Sequence, residues 1–269
     1  MSSFNPEYGV TADGLAAARL DYMAFVAIPG KDGFRIASGY RLRQPIAQWS
    51  QEDVHGHDGV VADEAGFRAH VEAVAHHFRQ RAALRRKEVS MRISTPWGMS
   101  QGATIYAEGI VCLDTPGHGG FKLDAKRNAA TPPPLRGNGG FYEEDAEWAK
   151  VAFGYPELFT DRERTQADRT LRDSYPDAWE AVHDRALSPQ ESFQRDRERF
   201  EREHVGDWAV ISAIGSQRYP GQVETIATLG GLRGCGIRER QFLVPDDDYA
   251  AGRHGFVIDP DRHKELRAA

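Results

Sequence analysis

DWAVISAI at residues 207–214, QVETIATL at 222–229, ERQFLVP at 239–245 and HGFVID at 254–259 are four short apolar runs parted by glycine, proline and aspartate. Runs of this length, rich in valine, isoleucine, threonine and aromatic residues and bounded by turn formers, read as strands. The last quarter of the chain is therefore expected to be an antiparallel meander. The segment before it has the opposite character. SPQESFQRDRERFEREH (188–204) predicts a helix over 188–203, with Ser188 as cap, Pro189 in the first turn and Glu191 completing a capping box. Its apolar residues, Phe193 and Phe200, stand seven apart on one face, so this helix should lie on a surface or bridge parts of the structure. Its arginines alternate with aspartate and glutamate, a mixture whose long-range field cancels. Helices and strands come in separate blocks, which predicts an α+β fold: an antiparallel sheet with packed helices and a loop-rich centre.

Towards the N-terminus, DYMAFVAI (21–28), the turn PGKDG and FRIASGYRLR (34–43) predict a β-hairpin. TADGLAAARL (11–20) favours a short helix, weakened by Gly14. From Glu64 to Lys87, Phe67, Val71, Val74, Phe78 and Leu84 keep helical spacing, with Asp63 at the N-cap and RQRAALRRK at the basic C-terminal end. An N-terminal hairpin and helix unit is expected over 1–87, and a main α+β domain over 88–269. In the centre, KEVSMRIST (87–95) alternates like a strand that Pro96 stops. ATIYAEGIVCLDT (103–115) holds two β pieces around Glu108-Gly109, and TPGHGG breaks the second. TPPPLRGNGG (131–140) excludes regular structure through its three prolines. FYEEDAEWAKVAF (141–153) then restores a helical pattern.

A chain of 269 residues suits one large domain or two small ones. Two cysteines, Cys112 and Cys235, cannot form a disulfide framework, so a reducing, cytoplasmic setting is expected. The opening MSSFNPEYGV lacks a basic region and an apolar stretch, which predicts no secretory signal. The apolar runs are far shorter than the roughly 20 residues that cross a bilayer, so no membrane partner is expected. A net charge of −6 argues against a polyanion sleeve.

STPWGMSQGATIYAEGIVCLDTPGHGGFKL (94–123), with FYEEDAEWAKVAF and the later PELF and YPDAWE, resembles an uncharacterised domain family found in proteins of proteobacterial plasmids, phages and other mobile elements. The matching features are Pro96-Trp97-Gly98, the loop from Thr115 to Gly120, and Tyr142-Glu143-Glu144-Asp145. DWAVISAI and FLVP also look similar, which extends the resemblance over roughly residues 90–260, one domain's length. The resemblance implies a bacterial accessory protein and brings no known activity with it.

The loop LDTPGHGGFKL (113–123) carries a histidine flanked by glycines, which allow close approach of a ligand to the backbone. His118 is a candidate acid or base, with Asp114 or another acidic residue as its orienting partner. The same pattern also fits a tight strand-to-helix turn whose histidine only bonds a carbonyl. Glu143, Glu144 and Asp145 are candidate catalytic carboxylates, although acidic residues in a first helical turn are favoured by the helix dipole alone. As helical residues, Glu143 and Glu147 would share a face. Trp97, Lys122, Tyr142 and Arg233 are candidate binding residues: Lys122 for an anionic group, Arg233 within a loop that can touch phosphate or RNA. His55-Gly56-His57-Asp58 departs from metal-hydrolase spacing and reads as a polar loop, while adjacent His76 and His77 point apart on a helix. No structural zinc, other metal or cofactor is expected, and GHGGFKL lacks the spacing of a phosphate loop. Cys112 reads as a small core residue. Two functions remain. The leading one is a non-catalytic accessory or adaptor binding protein or nucleic acid. The alternative is a small hydrolase-like enzyme, with His118 as acid/base and Glu143 or Glu144 as partner.

Overall fold

In the computed structural model, which describes residues 4–266, the chain divides into a compact unit ending at Asp168 and a second beginning at Arg169. The first three residues of the polar opening lie outside the described residues. The fold is α+β, with helices and antiparallel sheets in both units. No described helix is long and apolar enough to cross a membrane.

The first unit begins with five strands: β1 (Glu7–Val10), β2 (Ala16–Leu20), β3 (Met23–Gly30), β4 (Gly33–Tyr40) and β5 (Val60–Val61). They form an antiparallel sheet in chain order, and β3 and β4 are the expected hairpin. The helix expected over 11–20 is instead a turn, closed by Gly14 N–H to the Thr11 carbonyl, followed by β2. AAARL is buried on both faces: Ala18 and Leu20 enter one core cluster and Ala17 the other. A doubly buried strand loses the alternation that distinguishes it from a helix. Helix α1 (Glu64–Ala83) covers one face of this sheet through Phe67, Val71 and Val74. Asp63 caps it, accepting the Gly66 N–H at 2.8 Å. The opposite face is closed by Ile46, Trp49 and Val54.

A second sheet follows residue 87. Its order is β12 (Phe141–Glu143), β11 (Gly119–Leu123), β10 (Ile110–Asp114), β9 (Gly102–Ala107), β6 (Lys87–Val89), all antiparallel. A two-stranded ribbon, β7 (Ser94–Thr95) with β8 (Gly98–Met99), interrupts the single strand expected over 87–95. Helices α2 (Ala125–Ala130) and α3 (Trp148–Gly154) follow, and α4 (Asp161–Ser174) runs across the division between units. Arg86, just beyond α1, forks onto Glu163 at 2.9 and 2.6 Å, bonds the Leu158 carbonyl and stacks over the Tyr106 ring. Burial would raise the Glu163 carboxyl, but Arg86 and the Thr160 N–H together hold it below the usual carboxylate range.

The second unit holds α5 (Pro176–His183), α6 (Phe193–Glu203) and the sheet β13 (Trp208–Gly215), β14 (Gln222–Leu229), β15 (Glu239–Pro245), β16 (Lys264–Leu266). Three of the four expected meander strands are present. The fourth is Lys264–Leu266, while HGFVID touches β13 through a single bridge, Ala209 to Val257. The expected 188–203 helix is shorter: Ser188 and Glu191 do form a capping box, but on a 3-10 turn, and Ser192 then caps α6. Ser192 is extended, at φ −141°, which separates the two turns. Arg195 is tied to Glu180 at 2.7 Å and Glu198 at 2.9 Å, and the rings of Phe193 and Phe200 pack on His254.

Candidate functional site

Strands β10 and β11 are joined by a four-residue turn, not by a strand-to-helix connection. Thr115 N–H donates to the His118 carbonyl at 2.9 Å, and His118 N–H donates to the Thr115 hydroxyl at 3.2 Å. The backbone of His118 is thereby held on both sides while its ring stays exposed. Strand β12 lies against β11 with Gly120 opposite Glu143, and the Glu144 N–H reaches the Gly119 carbonyl at 3.2 Å. This corrects the helical reading of 141–153. Phe141–Glu143 is an edge strand, and α3 begins only at Trp148. The carboxylates therefore project from a strand end across from the turn.

The result is a convergence that spacing along the chain could not reveal. His118 Nδ1 stands 3.9 Å from Glu143 Oε1 and 3.8 Å from Glu144 Oε1. Glu143 is fixed by its neighbours: Oε2 accepts the Asp145 N–H at 2.7 Å, and its own N–H donates to Glu147. Glu147 is anchored in turn by Lys150 at 2.7 Å. Glu143 Oε1, the oxygen that faces His118, is buried and has no hydrogen-bond partner. A buried acceptor left in this state favours an incoming donor or cation. Two glycines make room for the arrangement. A Cβ at Gly119 would lie 2.5 Å from Glu144 Oε2, and one at Gly120 would lie 2.5 Å from the Trp97 ring and 2.2 Å from the Tyr142 carbonyl.

The other sequence candidates separate into different roles. Trp97 packs edge-to-face on Phe141 and lines a cleft of about 520 Å³ with Arg92, Gln101, Pro116 and Gly117. Pro116 and Gly117 belong to the His118 turn, so the cleft opens beside the histidine. Lys122 donates to the Gly139 carbonyl and lies over the Phe141 ring. Tyr142 is fully buried and bonds Asn128 at 2.6 Å, which corrects its assignment to a binding face. Asp145 contributes its backbone N–H to Glu143, and Asp114 is not among the carboxylates beside His118. Arg233 belongs to the second unit, where it donates to the Ile211 carbonyl. Cys112 is mostly buried, and burial pushes its thiol up to about 11, so it is a poor nucleophile. Cys235 is exposed.

His118, Glu143 and Glu144 offer one donor atom each, all within 4.8 Å of one another. The 3.8 and 3.9 Å separations exceed hydrogen-bond length. Two donors about 2.1 Å from one ion lie at most ~4.2 Å apart, so a small closure would let the three residues take a divalent ion. His55 and His57 do not join such a group among the described residues.

Residues 90–205, less than half of the chain, match the profile of a domain of unknown function, DUF7007. The matched segment contains β9 to β12 and the whole His118 site. Two dihydroxy-acid dehydratases, from Lactococcus lactis subsp. cremoris and subsp. lactis, are 38% identical over 55 residues, covering 20% of this chain. The match spans 10% of each dehydratase, too little of either enzyme to transfer its activity. No solved structure matches the chain.

Proposed function

We propose that the chain is a small hydrolase-like enzyme in which His118 acts on a water as acid and base, with Glu143 and Glu144 as its partners. The observation that supports this is the approach of His118 Nδ1 to within 4 Å of both carboxylates. With Nδ1 turned to the glutamates, Nε2 is left for water and substrate. Nε2 takes a proton as the water oxygen attacks, the carboxylates stabilise the imidazolium, and the proton passes to the leaving group. Catalytic hydrogen bonds in a ligand-free site are often long and tighten on substrate binding. The cleft beside Trp97 would hold the substrate, with exposed Arg92 selecting for an anionic part. The test is hydrolysis of p-nitrophenyl acetate and bis-p-nitrophenyl phosphate by the wild type and His118→Asn. Equal rates for the two proteins on both substrates would end this reading.

The accessory or adaptor reading keeps one supporting observation. The outer half of β13, Ser212–Gly215, is exposed, with Ile214 71% accessible at the sheet edge. Such an edge can accept a strand from another chain. The bacterial and mobile-element setting implied by the resemblance, and the cytoplasmic setting expected from the two cysteines, belong to this reading. If it holds, Ile214→Lys should release a co-purifying partner while the unit stays folded, and a complex unaffected by the substitution would remove it.

A further inference from the structure

A second cleft, of about 570 Å³, lies in the first unit between β3, β4, α1 and the start of α4. Its volume is within the usual range of small-molecule sites. One wall is a row of near-parallel rings: Tyr40 stacks on Tyr22 at 6.3 Å and 22°, and Tyr22 on Phe78 at 5.9 Å and 25°. Tyr40 and Tyr22 are 62% and 49% exposed, unusual for large aromatic rings that already have a cleft at their side. An open stack of this kind is a shelf for one more flat ring.

Polar groups line the same cleft. Arg162 forms no ion pair among the described residues, whereas Glu163 beside it is taken up by Arg86. Asp58 is the carboxylate of the cleft not held by a guanidinium among the described residues. It is set there because residues 56–59 hydrogen-bond along β4, with Asp58 N–H on the Ile36 carbonyl at 2.9 Å. His70 Nε2 is buried with no partner, and His77 spends Nδ1 on the Thr160 hydroxyl at 2.9 Å. Burial lowers both imidazoles below their usual value, against the pull of Asp58 on His70 and of Glu163 on His77. Both rings thus favour the neutral, hydrogen-bonding form, and Arg162 is a cation of the cleft without an ion pair among the described residues.

We infer that this cleft binds a ribonucleoside monophosphate, with the base stacked on Tyr40, the outermost ring of the row, the ribose hydroxyls on Asp58 and the phosphate on Arg162 and His70. A planar ring, a diol and a dianion are what an aromatic shelf, a lone carboxylate and an unpaired guanidinium respectively recognise. The site is separate from the His118 centre, and neither depends on the other. Calorimetric titration of the full chain with 5′-AMP, ribose 5-phosphate and inorganic phosphate tests it. 5′-AMP should bind at micromolar to low millimolar concentration and ribose 5-phosphate at least about tenfold more weakly, since stacking is what the sugar phosphate lacks. Tyr40→Ala and Arg162→Gln, both at exposed positions, should each weaken 5′-AMP by about tenfold with an unchanged circular dichroism spectrum. No heat from 5′-AMP at 5–10 mM (a range of about the weakest useful affinity) overturns the proposal. So does equal binding of 5′-AMP and ribose 5-phosphate, or affinity untouched by both substitutions.

Discussion

The two histidine clusters of the first unit differ in what surrounds the rings. His118 stands at the tip of a hairpin, more than half exposed, with two carboxylates on one side and solvent on the other. His70 and His77 lie on α1, where burial lowers their proton affinity and the rings of Phe25 and Phe78 respectively pack on them. In the roles proposed for the two sites, the same side chain serves proton transfer in one place and neutral hydrogen bonding in the other. Charge and access, more than residue type, separate a reacting histidine from a recognising one.

The strongest way to break this contrast is to exchange the effects of substitution. His118→Asn should lower hydrolytic turnover by about 10²–10⁴-fold, whereas His70→Asn should leave turnover intact and weaken 5′-AMP. Loss of turnover in both variants would mean that the clusters form one functional system. Next in size is the support beneath the second cluster. Glu163→Gln leaves the Arg86 charge buried without its partner and should cost about 3–5 kcal/mol in urea unfolding. The same pair predicts acid sensitivity. The carboxyl of Glu163 lies lower in the folded than in the unfolded chain, so its stabilisation is present above the unfolded value and is lost as pH falls through the folded one. The acid limb of a stability–pH curve should flatten in the Gln variant. A smaller effect, about 1–3 kcal/mol, is expected for Gly120→Ala, where the added methyl meets the Tyr142 carbonyl. Gly117→Ala, with open space around it, should be close to neutral. Smallest of all is the response to chelation. If His118 works directly on water, EDTA leaves turnover unchanged, while stimulation by Mn²⁺ or Zn²⁺ would reassign the three residues as ion ligands.

Much of the fold could be read residue by residue. Asp63, the Phe67–Val71–Val74 spacing and the PGKDG turn each act locally, and each is where local chemistry places it. Ala16–Leu20 could not be read this way, because its strand state depends on burial from both sides by residues far along the chain. HGFVID is a similar case: its backbone meets β13 at a single bridge, while Ile258 and Phe256 pack into the core cluster with Phe242 and Val244. At the candidate site, the TPGHGG and YEED segments were visible as unusual chemistry. Their meeting was not, since it depends on the register that sets Gly120 opposite Glu143. As one helix, 141–153 would carry the glutamates in a first turn that its dipole favours, whereas they stand at and just beyond the end of an edge strand. The nucleotide cleft was still less visible. Tyr22, Tyr40, Asp58, His70 and Arg162 come from five separate stretches, and Asp58 stands out in the sequence only within the polar loop His55-Gly56-His57-Asp58.

The contrast between the two cysteines has a practical side. Cys112 sits within a strand with its thiol held near 11, and Cys235 is exposed in the second unit. Maleimide chemistry near neutral pH depends on the thiolate fraction and on access, so a dye or spin label should attach at Cys235 and pass over Cys112. The native chain then carries a single spectroscopic handle, installed without any substitution. It lies in one unit while both histidine clusters lie in the other.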